Sequence, residues 1–287
     1  MTSVDLARLV LLAAIWGSSF LFMRILSPAL GPVIGADVRL LIAGLVLGII
    51  LAMRGDQGVY RGRARAYSIV GMVNSGLPFL LFSYAALKIP ASYSSVLNAL
   101  APLFGALCLW RLDGEPLSRR KMAGIALGIA GVALMSRLGP VPMNIATLSG
   151  IGACVVATVC YGWAGVLIRR RAKAIPSLHF AMGTQLAAGL LILPFALING
   201  VVAPPIDPYS PVVVGSAIAI GVLCSAVAYM LYFRLMASLG PTRTLSVTFI
   251  IPVFGILWAA LFLGESIAPG MLVGALLVVA GTVLVLR

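Results

Sequence analysis

Charge is scarce in this chain. Only 9% of its 287 residues are Asp, Glu, Lys or Arg, against 62% hydrophobic, whereas soluble domains carry roughly 25% charged residues. So few charges cannot clothe a water-facing surface, which excludes a soluble globular protein. Acids are scarcer still: there are seven Asp and Glu and one His, mostly at the ends of apolar runs. No HExxH, no GxSxG and no cluster of metal ligands is present. That poverty argues against an integral membrane enzyme, so no metal and no cofactor is expected. The four cysteines, Cys108, Cys154, Cys160 and Cys224, all fall inside apolar runs without a CxxC pair. They read as small packing residues rather than disulfides or ligands. Long polar segments are missing too. The longest connection holds Arg54, Asp56, Arg61, Arg63 and Arg65, too little for the recognition surface of a structural or signalling partner.

What the chain has is apolar length. A spanning helix needs about 20 largely apolar residues. Reading between charges and turn residues gives ten spans: 7–26, 32–53, 66–87, 91–110, 120–137, 147–168, 178–198, 211–234, 243–263 and 268–286. The fifth is the weakest, with Lys121 and Arg137 placed to snorkel to the two interfaces. Arg8 precedes the first run, as in a signal peptide, yet no small-x-small cleavage site follows and a retained helix is expected. The net charge of +13 does not point to nucleic acid, because the basic residues sit between apolar runs and not on a solvated face. They report orientation instead. With the N-terminus in the cytoplasm, only Arg24, Arg39, Lys88 and Arg137 of the 20 Lys and Arg fall at or near the outer side. The cytoplasmic remainder includes Arg61, Lys173 and Arg287. A multi-pass protein of a bacterial-type inner (plasma) membrane with both termini cytoplasmic is expected.

The chain is also doubled. Pro102-Leu103-Phe104-Gly105 returns as Pro252-Val253-Phe254-Gly255, an offset of 150. Gly114-Glu115 and Gly264-Glu265 keep that register, as do Gly124 with Gly274 and Ala130-Gly131 with Ala280-Gly281. Trp16-Gly17 matches Tyr161-Gly162 more weakly. Recurrence in one register marks an internal repeat, with units at 1–138 and 147–287. Five spans per unit is an odd number, so the second unit must enter the membrane upside down. Glu115 then belongs at the cytoplasmic face and Glu265 at the outer one. Inverted repeats are the architecture of alternating-access carriers, with the cargo at the midplane; a duplication kept only for packing is the plainer alternative.

The stretch Tyr84-Ala85-Ala86-Leu87-Lys88, then Pro102-Leu103-Phe104, Gly114-Glu115 and Gly124 to Gly131, echoed by Pro252, Glu265, Gly274 and Gly281, resembles the EamA branch of the drug/metabolite transporter superfamily. Trp16-Gly17-Ser18-Ser19-Phe20 and Arg39 resemble its first two helices. The resemblance covers essentially the whole chain. It implies an all-α, ten-helix membrane fold of two inverted five-helix repeats. It also implies a carrier that exports small apolar or aromatic amino acids, with a cavity lined by spans 1, 3, 4, 6, 8 and 9. Other metabolites or drugs of the superfamily are the alternative cargo. The expected partners are a small-molecule substrate and the lipid bilayer; the oligomeric state stays open.

Three mid-span prolines share a feature. Pro78, Pro102 and Pro252 follow Asn74, Asn98 and Thr248 by four residues. Proline kinks a helix and frees the carbonyl four residues back, which in hydrocarbon needs another partner. Residues four apart share a face, so each kink presents a carbonyl and a polar side chain together. Such acceptors suit an ammonium, and the Asn74 and Asn98 amides suit a carboxylate. Local repair of the broken helix is the competing reading. Of the aromatics in these spans, Trp16, Tyr84, Trp163 and Tyr229 are taken as cavity-lining, against an interfacial belt or plain packing. Asp37 and Arg39 enter the second span two residues apart; Arg39 reads as structural by the resemblance, and Asp37 is a minor candidate for proton coupling. His179 is expected at the interface, and Glu115 and Glu265 as helix-start carboxylates. Gly44, Gly48, Gly124, Gly128 and Gly131 predict close helix contacts, within the bundle or in a dimer.

Overall fold

The computed structural model describes residues 2–56, 62–138, 141–171 and 175–286. Arg61, Lys173 and Arg287 of the orientation argument lie outside the described residues. Regular structure among the described residues is helical throughout, with nine helices long and apolar enough to cross a membrane and a tenth apolar helix, Val247–Leu263, that is shorter. They are α1 (Ser3–Leu30), α2 (Pro32–Met53), α3 (Ala64–Ala86), α4 (Ala91–Asn98 with Ala101–Asp113) and α5 (Arg119–Leu138). The second unit supplies α6 (Ile145–Arg171), α7 (Ser177–Val202), α8 (Pro211–Leu239), α9 (Pro241–Thr244 with Val247–Leu263) and α10 (Pro269–Leu286). This is an all-α membrane fold of two inverted five-helix repeats.

Local chemistry sets the helix ends. Thr2 caps α1 by accepting from the Asp5 amide at 3.2 Å, and Pro32 opens α2 at a position where its missing N–H costs nothing. Gly114 and Gly264 close α4 and α9 at φ 70° and 64°, a left-handed cap that glycine tolerates without strain. The matched glycines of the repeat thus mark the same turn twice.

Glycine also brings backbones together. A Cβ on Gly131 would lie 2.7 Å from the Gly274 carbonyl oxygen, and Gly124 faces Gly281 in the same way, so α5 and α10 touch along their small residues. Gly44 backs onto the Leu186 backbone of α7. Between the two openings left by the sequence, bundle or dimer, these contacts are within one chain.

The interrupted helices are less uniform than three proline kinks. A π-helical turn, Met72–Gly76, precedes Pro78 in α3. Its repeat partner α8 carries a longer one, Ala219–Val227, although no proline stands at the matching site. In α4 the helix breaks between Asn98 and Ala101, and Pro102 sits in the first turn of the second piece. In α9 the break comes earlier, at Leu245 and Ser246, and Pro252 lies inside the continuous Val247–Leu263 piece. There the Thr248 hydroxyl donates to the Leu245 carbonyl at 2.8 Å, and the Ser246 hydroxyl to the Arg243 carbonyl at 2.7 Å. For Thr248, then, local repair of the helix is what the side chain does.

Candidate functional site

A cavity of about 440 Å3 lies at the junction of the two units, within the range of roughly 300–1,000 Å3 usual for small-molecule sites. Its walls come from α1, α2, α3, α4, α6, α7, α8 and α9. The repeat is visible in the lining. Asn74 and Cys224, Phe79 and Tyr229, Phe82 and Tyr232, Asn98 and Thr248, and Ala101 and Ile251 are pairs at the 150 offset.

Aromatic rings form much of the wall. Trp16 meets Tyr232 with centroids 5.4 Å apart, Phe20 meets Phe82 edge-on at 5.5 Å, and Phe82 stacks near Tyr161 at 6.3 Å. Tyr229 and Phe233 stack at 6.0 Å. Behind one side, the lining residues Asn74 and Tyr229 join a buried polar network with Ser75 and Gln185. Gln185 of α7 donates through Nε2 to the Ser75 hydroxyl at 2.9 Å and to the Tyr229 hydroxyl at 3.1 Å, while Asn74 approaches Ser75 at 3.4 Å.

Of the residues singled out from sequence, Trp16, Asn74, Asn98, Tyr229 and Thr248 are brought together on this wall. Trp163 and Tyr84 are not. Trp163 is 47% exposed on the outside of α6 and Tyr84 36% exposed at the end of α3, where its hydroxyl lies 3.1 Å from Ser149. Each stands two residues from a lining aromatic, Tyr161 or Phe82, and two residues turn a helix by roughly 200°. The repeat register already held that correction, because Trp16-Gly17 aligns with Tyr161-Gly162.

Arg39 is the residue whose role sequence reasoning missed. It is no helix-end residue: it is 5% exposed and lines the cavity. Its guanidinium carbon lies 3.7 Å from the Phe79 ring centroid. Nε donates to the Ser225 hydroxyl at 3.1 Å and Nη2 to the Ser19 hydroxyl at 3.5 Å. Asp37 is buried in α2 but does not line the cavity. His179 is the third residue of α7, and its side chain is buried against protein with Nε2 3.2 Å from a carboxylate oxygen of the exposed Asp56.

The cavity extends to Ile168, Ile175, Ser177, Met236 and Leu245, at the ends of α6 and α8 and the starts of α7 and α9. This is the face of the chain termini, since Asp5 accepts from the Ser238 hydroxyl at 3.1 Å. At the opposite face the Glu265 carboxylate accepts from the Ala91 amide (2.7 Å), the Ser92 amide (3.0 Å) and the Ser92 hydroxyl (2.6 Å). It therefore caps the first turn of α4 in the other unit rather than its own next helix. Arg24 of α1 donates to the Ala86 carbonyl at the end of α3 beside it. Glu115, on the face of the termini, instead pairs with Arg169 at 2.7 Å.

Inverted helical repeats enclosing an aromatic cavity within the bilayer define a solute transporter. The chain belongs to the EamA-like transporter family, whose pattern matches residues 6–137 and again 148–287. It is similar to the "Probable terminal-alkyne amino-acid exporter" of Streptantibioticus cattleyicolor, 27% identical over 283 residues, covering 97% of this chain and 92% of that one. It is also similar to the S-adenosylmethionine/S-adenosylhomocysteine transporter of Chlamydia trachomatis serovar L2, 24% identical over 274 residues, covering 91% and 82%. A crystal structure 17% identical in sequence superposes with a TM-score of 0.69 over 99% of this chain and 96% of that one, a likeness of fold. The protein is a multi-pass membrane transporter, not an enzyme.

Proposed function

We propose that the protein exports small apolar and aromatic amino acids and related metabolites by alternating access, with the units 1–138 and 147–287 rocking about the midplane cavity. One observation carries this reading: an aromatic-walled cavity between the repeats that reaches one face, while at the other Glu265 of the second unit binds the start of α4 in the first. The bias of basic residues puts the reached face in the cytoplasm, so this is the state in which an exporter loads. Trp16, Asn74, Asn98, Tyr161 and Tyr229 would contact the cargo through side-chain groups, and Thr248, whose hydroxyl hydrogen goes to the Leu245 carbonyl, would offer only its oxygen and methyl group. The relative named as a probable terminal-alkyne amino-acid exporter supports an amino-acid cargo. The relative named for S-adenosylmethionine supports the second reading, export of other metabolites. Among the described residues, the lining holds no carboxylate and no histidine, which favours movement down a gradient over tight proton coupling. Counterflow of labelled phenylalanine in proteoliposomes is the test. Exchange above empty liposomes is expected; absence of exchange for every amino acid tried would end the amino-acid reading.

A further inference from the structure

Among the described residues, the buried cation in the cavity, Arg39, has no counterion. Arg39 carries five N–H donors, and its two recorded hydrogen bonds go to neutral serine hydroxyls. Among the described residues, no carboxylate lies within ion-pair distance of it. Asp37 is on the same helix but two residues away, so it points to a different side. Its buried Oδ1 has no hydrogen-bond partner among the described residues either. A charge removed from water and left unpaired is costly in a bilayer and marks a functional position.

The guanidinium is nevertheless held in place. The Ser225 hydroxyl that accepts from Nε donates its own hydrogen to the Ile220 carbonyl at 3.0 Å, within the π-helical turn of α8. That leaves its oxygen facing Arg39 as an acceptor. The Phe79 ring, 3.7 Å from the guanidinium carbon, fixes the plane. The remaining N–H groups are free to meet a ligand in the cavity that Arg39 lines.

Symmetry argues against a scaffold role. Ala43-Gly44-Leu45 matches Ala188-Gly189-Leu190, which sets Arg39 against Thr184 in the second unit. Thr184 bonds to its own helix through the Phe180 carbonyl at 2.8 Å. The fold therefore builds this position without a cation in one of its two copies.

We propose that Arg39 is the anion-binding residue of the cavity and takes the carboxylate of an amphiphilic organic acid, whose apolar part lies against the aromatic walls. Planar, paired N–H donors suit a carboxylate. The cargo class is then carboxylate-bearing, zwitterionic amino acids included, as opposed to molecules without a carboxylate. The inference rests on the cavity being the transport site, as proposed above.

The test is counterflow by wild type, Arg39→Gln and Arg39→Lys, comparing L-phenylalanine with L-phenylalaninamide, which keeps ring and ammonium but lacks the carboxylate. Wild type is expected to prefer the acid on the order of tenfold or more. In Arg39→Gln the acid-to-amide ratio should fall toward one, while Arg39→Lys keeps part of the preference. Equal exchange of acid and amide by wild type overturns the inference and leaves the carrier reading intact, as does an unchanged acid-to-amide ratio in Arg39→Gln. Wild type that exchanges neither, nor any other amino acid, sinks both. If Arg39→Gln fails to fold by thermal melting, the wild-type acid-to-amide ratio decides alone.

Discussion

Two positions on α6 show how much a single residue's address matters. Tyr161 lines the cavity and Trp163, two places on, is exposed on the helix exterior. Tyr161→Ala should therefore lower counterflow on the order of tenfold, from lost apolar burial and lost ring contact with Phe82. Trp163→Ala should leave it within about twofold, since exposed positions away from a site rarely matter by more. Normal flux in Tyr161→Ala, measured beside unchanged expression and melting, would mean that the cargo does not touch this wall. Arg39 belongs at the same scale. Reading it as a helix-end residue follows from its place near the start of a span. Nothing in the local sequence says that Ser19, Phe79 and Ser225 converge on it from three other helices.

Helices and their contacts decide which face is closed. Glu265 receives three hydrogen bonds from the first turn of α4, a tie between the units. Hydrogen bonds to a charged group contribute about 1.5–3 kcal/mol. Glu265→Gln should thus shift the conformational equilibrium away from this state by about tenfold to a hundredfold, read as longer spin-label distances across that face. Glu115 pairs with an exposed arginine, and such pairs contribute little, so Glu115→Gln should leave those distances unchanged. Equal responses of the two variants would remove the asymmetry. Between α5 and α10 the constraint is space, not charge. On Gly131 even a Cβ would sit 2.9 Å from both the Val278 nitrogen and its Cγ2. Gly131→Val should destabilise the protein by about 1–3 kcal/mol, seen as a lower melting temperature in detergent; an unchanged melting curve would mean that the two helices part easily.

At the scale of the whole molecule, the odd number of spans in each repeat makes the halves antiparallel, and ten spans return the chain to its starting face. Reporter fusions at the two termini and beside Glu115 should report the cytoplasm, and a fusion beside Glu265 the outside. Glu115 and Glu265 in one compartment would break the inverted arrangement and the mechanism built on it. The fold was largely legible in advance for a physical reason: within a bilayer each helix must satisfy its own backbone and span a set thickness. Apolar length, turn glycines and basic ends therefore sufficed to bound α2 at 32–53 and to place α7 and α10 within a few residues.

The amino-acid sequence by itself determined the number of spans, the doubling, and the polar and aromatic character of a mid-membrane site. It placed Trp16, Asn74, Asn98, Tyr229 and Thr248 on helices that the structure brings to one cavity. Only the tertiary structure decided which side of each helix faces inward, that the Thr248 hydroxyl donates to its own backbone, and that Arg39 stands in the cavity with no acid beside it among the described residues. A helix surrounded by lipid on one side and protein on the other is apolar on both, so hydrophobic periodicity, which orients helices in soluble proteins, carries little information here. The inward face is chosen by the shapes of neighbouring helices, and those meet only when the chain is folded.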